Sequence, residues 1–234
     1  MGSLTVPLVI PAPRPRVPTW SPNSGCLVRP RARSRSPRHS EPNNTLVASP
    51  GVVGAEGGSG SARIAILGRV EARISESRTD PDGLVDLAPL WVELHRHHLE
   101  VSEYRPLVED PGSSWASRLR WYRELLAEGG SYVTAEDHRG RVIGYAMVAV
   151  TDGPDDTFEV RGGIAEVVTL IVSREERSSG LGRALLSAAE AIARDRGYDT
   201  VKIAVMSGNV RAQSFYQAVG YSVAEHVLLR RLDT

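Results

Sequence analysis

The 234-residue sequence has a single cysteine, Cys26, and no long apolar run. One cysteine excludes an internal disulfide and a cysteine-rich metal site, and it agrees with a reducing, cytoplasmic setting. No apolar stretch reaches the roughly 18 residues needed to span a bilayer, so we expect no contact with a membrane. The formal net charge is zero and the sequence pI is about 7.0, so overall charge argues against a polyanionic partner such as nucleic acid.

Two common nucleotide-binding motifs are missing as well. There is no G-x-x-x-x-G-K-[ST] run, which excludes a Walker-type phosphate loop, and no G-x-G-x-x-G followed by an acidic residue, which excludes a dinucleotide site of that type. His95, His97 and His98 lie together on a predicted helix, but we identify no carboxylate partners for them at helical spacing. We therefore interpret them as a surface helix end and expect no metal site.

The first 60 residues differ in composition from the rest of the chain. They contain ten of the fifteen prolines and seven arginines against two acidic residues, without a period of 2 or 3.6. This composition predicts a disordered extension ahead of a globular domain over residues 61–234. A mis-assigned start, an organellar transit peptide and a nucleic-acid-binding arm stay open for the segment. We reject a secretory signal because the apolar stretch is short and broken by proline.

Beyond residue 61 the hydrophobic periodicity alternates between strand and helix patterns. Strands are predicted over residues 63–74, 131–136, 142–150, 164–172, 200–206 and 221–232. Helices are predicted over residues 86–98, 114–128, 181–196 and 209–219. A helix between two strands implies a parallel pair through a right-handed crossover, whereas the earlier strands are linked as hairpins. The predicted fold class is α/β, one domain with a mixed, mostly antiparallel sheet and helices on both faces.

The strand–turn–helix over residues 164–186 is the most informative segment. Its strand is apolar almost throughout, which is typical of a central strand covered on both faces. A polar turn follows, and Gly180 and Gly182 then open an amphipathic helix, with Arg177 at the lip of the turn. Free backbone N–H groups and the positive end of the helix dipole meet in such a turn, and glycine lets a ligand approach the backbone. The segment therefore predicts a diphosphate site.

Two patterns together resemble a known family. Arg177, Gly180 and Gly182 form R-x-x-G-x-G, and residues 209–221 form N-x-x-A-x-x-F-Y-x-x-x-G-Y. In this order they resemble the signatures of the GNAT superfamily of acetyl-CoA-dependent N-acetyltransferases. The resemblance implies acetyl-CoA as co-substrate and direct transfer of its acetyl group to a primary amine. The acceptor stays open between a small molecule and a peptide or protein amine, as does a homodimer.

The resemblance also implies where acetyl-CoA binds. The strand end would pair with the pantetheine arm like an added strand, and a bulge would splay this strand from the next one. Backbone N–H groups of the turn would cradle the diphosphate, with further contacts from the helix at residues 209–219. The implied set is Leu170, Ile171, Val172, Arg177, Ser178, Ser179, Gly180, Leu181, Gly182, Arg183, Asn209 and Ser214.

Two residues are candidates for proton transfer. Glu166 is the only charged residue in the apolar strand, where desolvation would suit a general base, and the resemblance implies the same role. The alternative is a glutamate that faces solvent. Tyr216 can donate a proton to the leaving thiolate, as the resemblance also implies. The alternative is a core aromatic, although Phe215 already fits the apolar stripe of that helix.

Two functions of other classes stay open. One is an acyl-CoA-binding sensor domain without turnover, against which the presence of Glu166 and Tyr216 speaks. The other is nucleic-acid binding by residues 1–60, which predicts salt-sensitive binding that is lost when the segment is removed.

Overall fold

The computed structural model describes residues 63–66, 70–152, 157–160 and 162–232. The predicted extension over residues 1–60 lies outside the described residues. The described strands are β1 (Arg63–Ile66), β2 (Val70–Ile74), β3 (Ser131–Glu136), β4 (Val142–Asp152), β5 (Gly163–Val172) and β6 (Val201–Lys202). The described helices are α1 (Ala88–Val101), α2 (Pro111–Ala127), α3 (Leu181–Asp195) and α4 (Val210–Ala218). No helix in these ranges is long and apolar enough to cross a membrane.

The strands form one sheet in sequence order, β1 to β6. Every neighbouring pair is antiparallel except β5 and β6, which are parallel and joined through α3. One face packs in a core cluster with α3 and α4, around Leu181 and Leu185. The other face packs with α1 and α2, around Tyr122 and Tyr145. These features confirm the predicted α/β class, with a mixed, mostly antiparallel sheet and helices on both faces.

Local sequence signals explain where the helices begin and end. The Asp110 carboxylate accepts hydrogen bonds from the N–H groups of Gly112 and Ser113, so α2 begins at a capped first turn. Gly129, with φ of +93°, follows the end of α2 and takes a backbone conformation that glycine adopts at little cost. The side chain of Asn209 accepts from Ala212 N at 3.2 Å, which confirms the predicted cap of α4.

The single strand predicted over residues 63–74 is wrong. The structure has two strands there, β1 and β2, which pair as an antiparallel hairpin with Ile66 opposite Val70. Hydrophobic periodicity does not reveal such a reversal because apolar residues continue on both sides of it.

The two strands predicted at the end of the sheet are wrong: the first is shorter than predicted, and the second is absent from the described structure. Only Val201 and Lys202 of the 200–206 prediction are in a strand. Residues 221–232 form no strand in the described structure, and Val227 and Leu228 are 80% and 92% exposed. Because β6 is only two residues long, it offers a following segment few backbone groups with which to pair.

Candidate active site

A bulge interrupts β5 at Val168. Met147 of β4 lies opposite Thr169, and Val148 lies opposite Val167, so Val168 is an extra residue in β5. Val167 belongs to the core cluster on the α3 face, whereas Val168 packs against the cluster on the α1–α2 face. The Thr169 hydroxyl also lies on the α1–α2 face. The bulge that the family resemblance implies is therefore present.

Just before the bulge, β5 loses its second neighbour. Ala165 and Glu166 pair with β6, and within the described residues the β5–β6 ladder ends there. Residues 167–172 of β5 thus have β4 on one side only, and we name this stretch the open edge. It contains the predicted residues Leu170, Ile171 and Val172. An extended ligand with amide groups can add to such an edge as a strand does.

Burial along β5 differs from the prediction of a strand covered on both faces. Buried and half-buried residues alternate from Gly163 to Leu170. Up to the bulge, the face that carries Glu166 is therefore only half-buried, whereas beyond the bulge Thr169 and Ile171 on the same face are buried. The apolar sequence did not show this difference because valine and isoleucine suit both environments.

The turn after β5, residues 173–180, brings backbone N–H groups together. Ser178 and Gly180 have φ of +66° and +91°, and α3 begins directly after Gly180 without a side-chain cap from that residue. Left-handed residues next to right-handed ones form a concave backbone that binds anions. In the first turn of α3, the N–H groups of Gly182 and Arg183 have no intrahelical acceptor. We name residues 173–180 the glycine turn.

The packing of the chain itself does not require glycine at position 182. A Cβ built there would lie 3.8 Å from the Phe215 ring and 3.8 Å from Val172 Cγ2, an ordinary van der Waals contact. Gly182 therefore lies between α4 and the end of β5 with room for one more carbon. The same room admits a ligand to the helix N-terminus.

The structure pairs Arg177 within the protein. Its Nη2 donates to Glu93 Oε1 of α1 at 2.6 Å, and its Nε donates to the Val172 carbonyl at 3.2 Å. The guanidinium therefore holds α1, the end of β5 and the glycine turn together instead of standing alone at the lip. The pairing of Arg177 with Glu93 was not visible in the sequence, because these two residues lie 84 positions apart in the chain.

A cation that the sequence analysis missed lies beside the turn. Arg211 of α4 donates from Nη2 to Ser178 Oγ at 3.1 Å. Its signal in the sequence is its place two residues after the cap Asn209, in the first turn of a helix that packs next to the glycine turn. Arg183 and Ser214 are exposed in the same region.

Asn209 is positioned by tight packing around the loop before α4. A Cβ at Gly208 would meet the Val101 carbonyl oxygen of α1 at 2.0 Å, so only glycine fits there. The Oδ1 of Asn209 is used by the helix cap, which leaves its Nδ2 group as a donor toward a ligand.

Tyr216 is the buried residue of α4. It is 9% exposed and belongs to the core cluster, and Phe215 is half-buried against the same cluster with Ala212 and Val219, so the expected stripe is present and Tyr216 is a core aromatic as well. Its ring packs edge-on against Phe215 and Tyr221. Burial raises the pKa of Tyr216 well above the usual tyrosine value. Its hydroxyl has no hydrogen-bond partner in the part of the chain that the structure describes, so it stays protonated and free to donate.

Glu166 lies where β5 and β6 separate. Its side chain is 27% exposed, and its Oε2 lies 3.4 Å from Nζ of Lys202, the residue opposite it in β6. Glu166 is therefore neither the fully desolvated carboxylate nor the free solvent-facing one that the sequence left open. It is a partly covered, ion-paired carboxylate on the α1–α2 face.

The histidines of α1 correct another expectation. His95 is buried and its Nε2 donates to the Val108 carbonyl at 2.7 Å, and His98 packs against Trp91. They are therefore part of the α1–α2 interior, since positions 91, 95 and 98 share one helix face. His97 does have a partner, Glu100, at 3.4 Å. Among the described residues, no group of three His, Cys, Asp or Glu is arranged to hold a metal.

The buried setting of His98 predicts a pH-dependent stability. Burial, together with repulsion from His95, Arg118 and His97, lowers the pKa of His98 from 6.5 to about 4. Between these two values the unfolded chain binds a proton that the folded chain does not. The contribution of His98 to the free energy of unfolding is therefore complete above pH 6.5. It decreases as the pH falls toward 4, by on the order of 2 kcal/mol.

Denaturant titrations between pH 7 and 4.5 measure this effect. We expect His98→Leu to lose less stability than the wild type over this range, whereas His226→Leu, a change at an exposed histidine, follows the wild type. If the free energy of unfolding changed with pH in the same way for all three proteins, His98 would not be the source of the pH dependence.

A cavity of about 550 Å³ lies beside the glycine turn. Its lining includes Asp86, Glu93, Arg141, Ser173 and Arg174, and none of the predicted site residues. The predicted cofactor-binding residues instead lie on the open edge, on the glycine turn and on α3 and α4, whereas Glu166 lies just before the open edge on the α1–α2 face and Tyr216 lies in the core cluster of the α3 face.

The sequence of this chain is similar to known proteins. A family model described as the acetyltransferase (GNAT) family matches residues 91–221. The mycothiol acetyltransferase of Thermobispora bispora is 35% identical over 89 residues, which cover 37% of this chain and 28% of the relative. The L-methionine sulfoximine/L-methionine sulfone acetyltransferase of Pseudomonas aeruginosa is 29% identical over 109 residues, covering 47% of this chain and 60% of the relative. The match thus spans less than two thirds of either relative.

Solved structures share the fold. A GCN5-related N-acetyltransferase from Ralstonia eutropha JMP134 superposes with a TM-score of 0.54 at 18% identity, covering 70% of this chain and 99% of that one. An aminoglycoside N-acetyltransferase in complex with CoA gives a TM-score of 0.54 at 16% identity, covering 73% of this chain and 100% of that one.

Proposed function

Because the chain belongs to the acetyltransferase (GNAT) family, we propose that it transfers the acetyl group of acetyl-CoA to a primary amine by direct attack. The observation that carries this proposal is the open edge of β5, which leads straight into the glycine turn and the first turn of α3, where the N–H groups of Gly182 and Arg183 have no intrahelical acceptor. The edge offers backbone groups to the amides of a pantetheine arm. The turn offers N–H groups to a diphosphate.

The residues present fit acetyl-CoA. Residues 170–172 would lie along the pantetheine arm, and the backbone of residues 177–183 would hold the diphosphate. The room at Gly182, which a Cβ would fill, supports this close approach. Asn209 would donate from Nδ2 to the pantetheine, and Ser214 would lie near the diphosphate. We add Arg211, whose guanidinium is already held at Ser178.

Three groups of the chain would carry the transfer. Glu166, through a water molecule at its exposed side, takes the proton that the acceptor ammonium must lose. Backbone N–H groups of the open edge polarise the thioester carbonyl while the amine nitrogen attacks its carbon. As the C–S bond breaks, Tyr216 donates a proton to the sulfur, and the proton that the attacking nitrogen then loses returns to the Tyr216 oxygen through solvent. The products are the N-acetylated amine and the free CoA thiol.

We propose a small molecule as the acceptor. The names of the curated relatives refer to small molecules, mycothiol in one case and L-methionine sulfoximine and sulfone in the other. We also propose that residues 61–234 form the acetyltransferase domain and that it works in the cytoplasm, which the single cysteine permits.

Release of free thiol from acetyl-CoA tests the proposal. The full chain is incubated with acetyl-CoA and a panel of amines that includes amino acids, their amides, diamines and an aminoglycoside. Thiol release that depends on an amine, with the acetylated amine found by mass spectrometry, supports the enzyme. Tight binding of acetyl-CoA without release for any amine supports the non-catalytic sensor instead. A folded chain that does not bind acetyl-CoA contradicts both.

Replacing Glu166 by glutamine tests the base. We expect kcat to fall about 10- to 100-fold near pH 7 with little change in acetyl-CoA affinity, because glutamine keeps the shape but accepts no proton. The deficit should shrink as the pH rises, since more of the amine then arrives deprotonated. Steady-state rates at several pH values measure both effects. Glu136→Gln in β3 is the matched control, and an E166Q variant with wild-type kcat would remove Glu166 from the reaction.

A further inference from the structure

Among the described residues, Arg118 of α2 has no counter-ion. Its Cζ lies 3.9 Å from the ring centroid of Trp91, 4.6 Å from that of Trp121 and 5.6 Å from that of Tyr122. No carboxylate of the described residues lies within ion-pair distance of it. The residue is half-buried, and burial lowers the pKa of the guanidinium. A partly desolvated charge is costly unless a ligand or a partner compensates for it.

The surroundings of Arg118 in the described structure bring no negative charge to it. His98 of α1 lies near it and is neutral at neutral pH, and the groups that interact with its charge are the hydroxyls of Tyr122 on α2 and Tyr145 on β4. Aromatic rings stabilise the guanidinium without neutralising it. The potential at this place is therefore positive and attracts a negative group.

Arg118 is also close to the proposed reaction centre. The Tyr122 hydroxyl, one helical turn after Arg118, hydrogen-bonds to Thr169 Oγ1 at 2.5 Å. Thr169 follows directly on the bulge of β5, and Glu166 lies on the same face of the sheet. Trp121 is 37% exposed, so the aromatic cluster reaches solvent. Arg118 and the proposed base thus lie on the same side of the sheet, and Tyr122 and Thr169 connect Arg118 to the strand that carries Glu166.

We propose that Arg118 binds a carboxylate of the acceptor, so that the substrate is a small amine that also carries a carboxylate, as an α-amino acid does. This inference rests on the proposed acetyl transfer. The N–H groups of a guanidinium lie in its plane and match the two oxygens of a carboxylate, while its faces contact aromatic rings. Trp121, the exposed ring of the cluster, would then contact the apolar part of the same acceptor, while the buried rings of Trp91 and Tyr122 hold the guanidinium in place.

Matched acceptor pairs test this inference. Thiol release by the full chain is measured with L-leucine and L-phenylalanine and with their amides, which differ only in the carboxylate. The amine of an amide is less basic and more of it is unprotonated at neutral pH, so chemistry alone favours the amide. We expect kcat/KM to favour the acid by at least about tenfold, because only the acid pairs with Arg118.

Variants assign the preference to Arg118. Arg118→Gln should raise KM for the acids about 10- to 100-fold, change kcat by less than about threefold and leave the amides unaffected, so that the preference disappears. Arg118→Lys keeps a positive charge, so it should restore part of the preference for acids over amides. Arg120→Gln, the same change at an exposed arginine of the same helix, should act like the wild type. The ratio of acid to amide is measured within each protein, so a loss of folded material cannot imitate the result.

Three outcomes overturn the inference. Equal or higher kcat/KM for the amides overturns it and leaves the proposed acetyl transfer in place. A preference for acids that survives in R118Q overturns the role of Arg118. Absence of thiol release with every amine, although acetyl-CoA binds, overturns the proposed function and this inference with it.

Discussion

Glutamate at position 182 is expected to abolish measurable acetyl-CoA binding. The residue lies in the first turn of α3, where N–H groups without acceptors meet the glycine turn. A carboxylate there would occupy the proposed diphosphate position and repel its charge. Two unit charges about 4 Å apart interact by about 4 kcal/mol at an effective dielectric constant of 20, so the affinity should fall at least about 100-fold. Calorimetric titration of the full chain with acetyl-CoA measures the loss.

Two control variants separate binding from folding. Gly112→Glu places the same side chain at the second residue of α2, another helix start that is exposed and outside the proposed site. It should bind acetyl-CoA as the wild type does. Gly182→Ala adds only the Cβ for which the chain has room, so it should fold normally and weaken binding moderately. If G182E binds acetyl-CoA with wild-type affinity, the diphosphate does not lie at this turn.

Replacing Tyr216 by phenylalanine is expected to lower kcat about 100-fold and to change the dissociation constant of acetyl-CoA less than about threefold. The ring of Tyr216 fills a core position, and phenylalanine keeps that packing. Its hydroxyl has no partner among the described residues, so its removal leaves no buried group unsatisfied. Because burial raises the pKa of Tyr216, the wild type keeps this donor protonated throughout the usual assay range. The expected loss of kcat in Y216F therefore arises in the step in which the thiolate leaves.

The neighbouring Tyr221 provides the matched control for this prediction. Its hydroxyl donates to Glu190 at 3.0 Å, and its ring packs against Tyr216. Tyr221→Phe removes a hydroxyl from the same aromatic cluster, on the side that faces α3, and should leave kcat nearly unchanged. Pre-steady-state thiol release distinguishes a slow chemical step from slow product release. Equal turnover in Y216F and the wild type would show that another group, or water, protonates the sulfur.

The features that could be predicted from the sequence are local ones. The strand, glycine turn and helix from β5 to α3 have their signals within one short segment, and so do the cap at Asn209 and the bounds of β3. In each case the pattern of apolar residues and the turn or cap residue indicate the same structure. The predicted diphosphate site in the glycine turn and the family resemblance depend on these signals.

Other features depend on contacts between distant segments. The bulge at Val168 adds one apolar residue to an apolar run, so its sequence looks like an unbroken strand. The partner of Arg177 lies on α1, and no local rule connects Arg177 with Glu93. Phe215 and Tyr216 are adjacent aromatics, and which of them is buried depends on how α4 is rotated on the sheet.

The aromatic cluster around Arg118 also exists only in the folded chain, because it combines residues of α1 and α2. From the sequence, these residues are predicted to lie on two separate amphipathic helices, and the histidines of the first helix are interpreted as exposed. The packing of the two helices buries His95 and leaves His98 and Arg118 half-buried against the aromatic rings.

Hydrogen exchange of the β5 amides with and without acetyl-CoA tests the central claim most directly, namely that the open edge receives the pantetheine arm as an added strand. We expect slower exchange in residues 167–172 and 178–183 of the full chain when acetyl-CoA is present, and no change in β3, whose neighbours on both sides are strands. The same titration of G182E should show no slowing. Slower exchange elsewhere, with unchanged exchange at the open edge and the glycine turn, would contradict the proposed site.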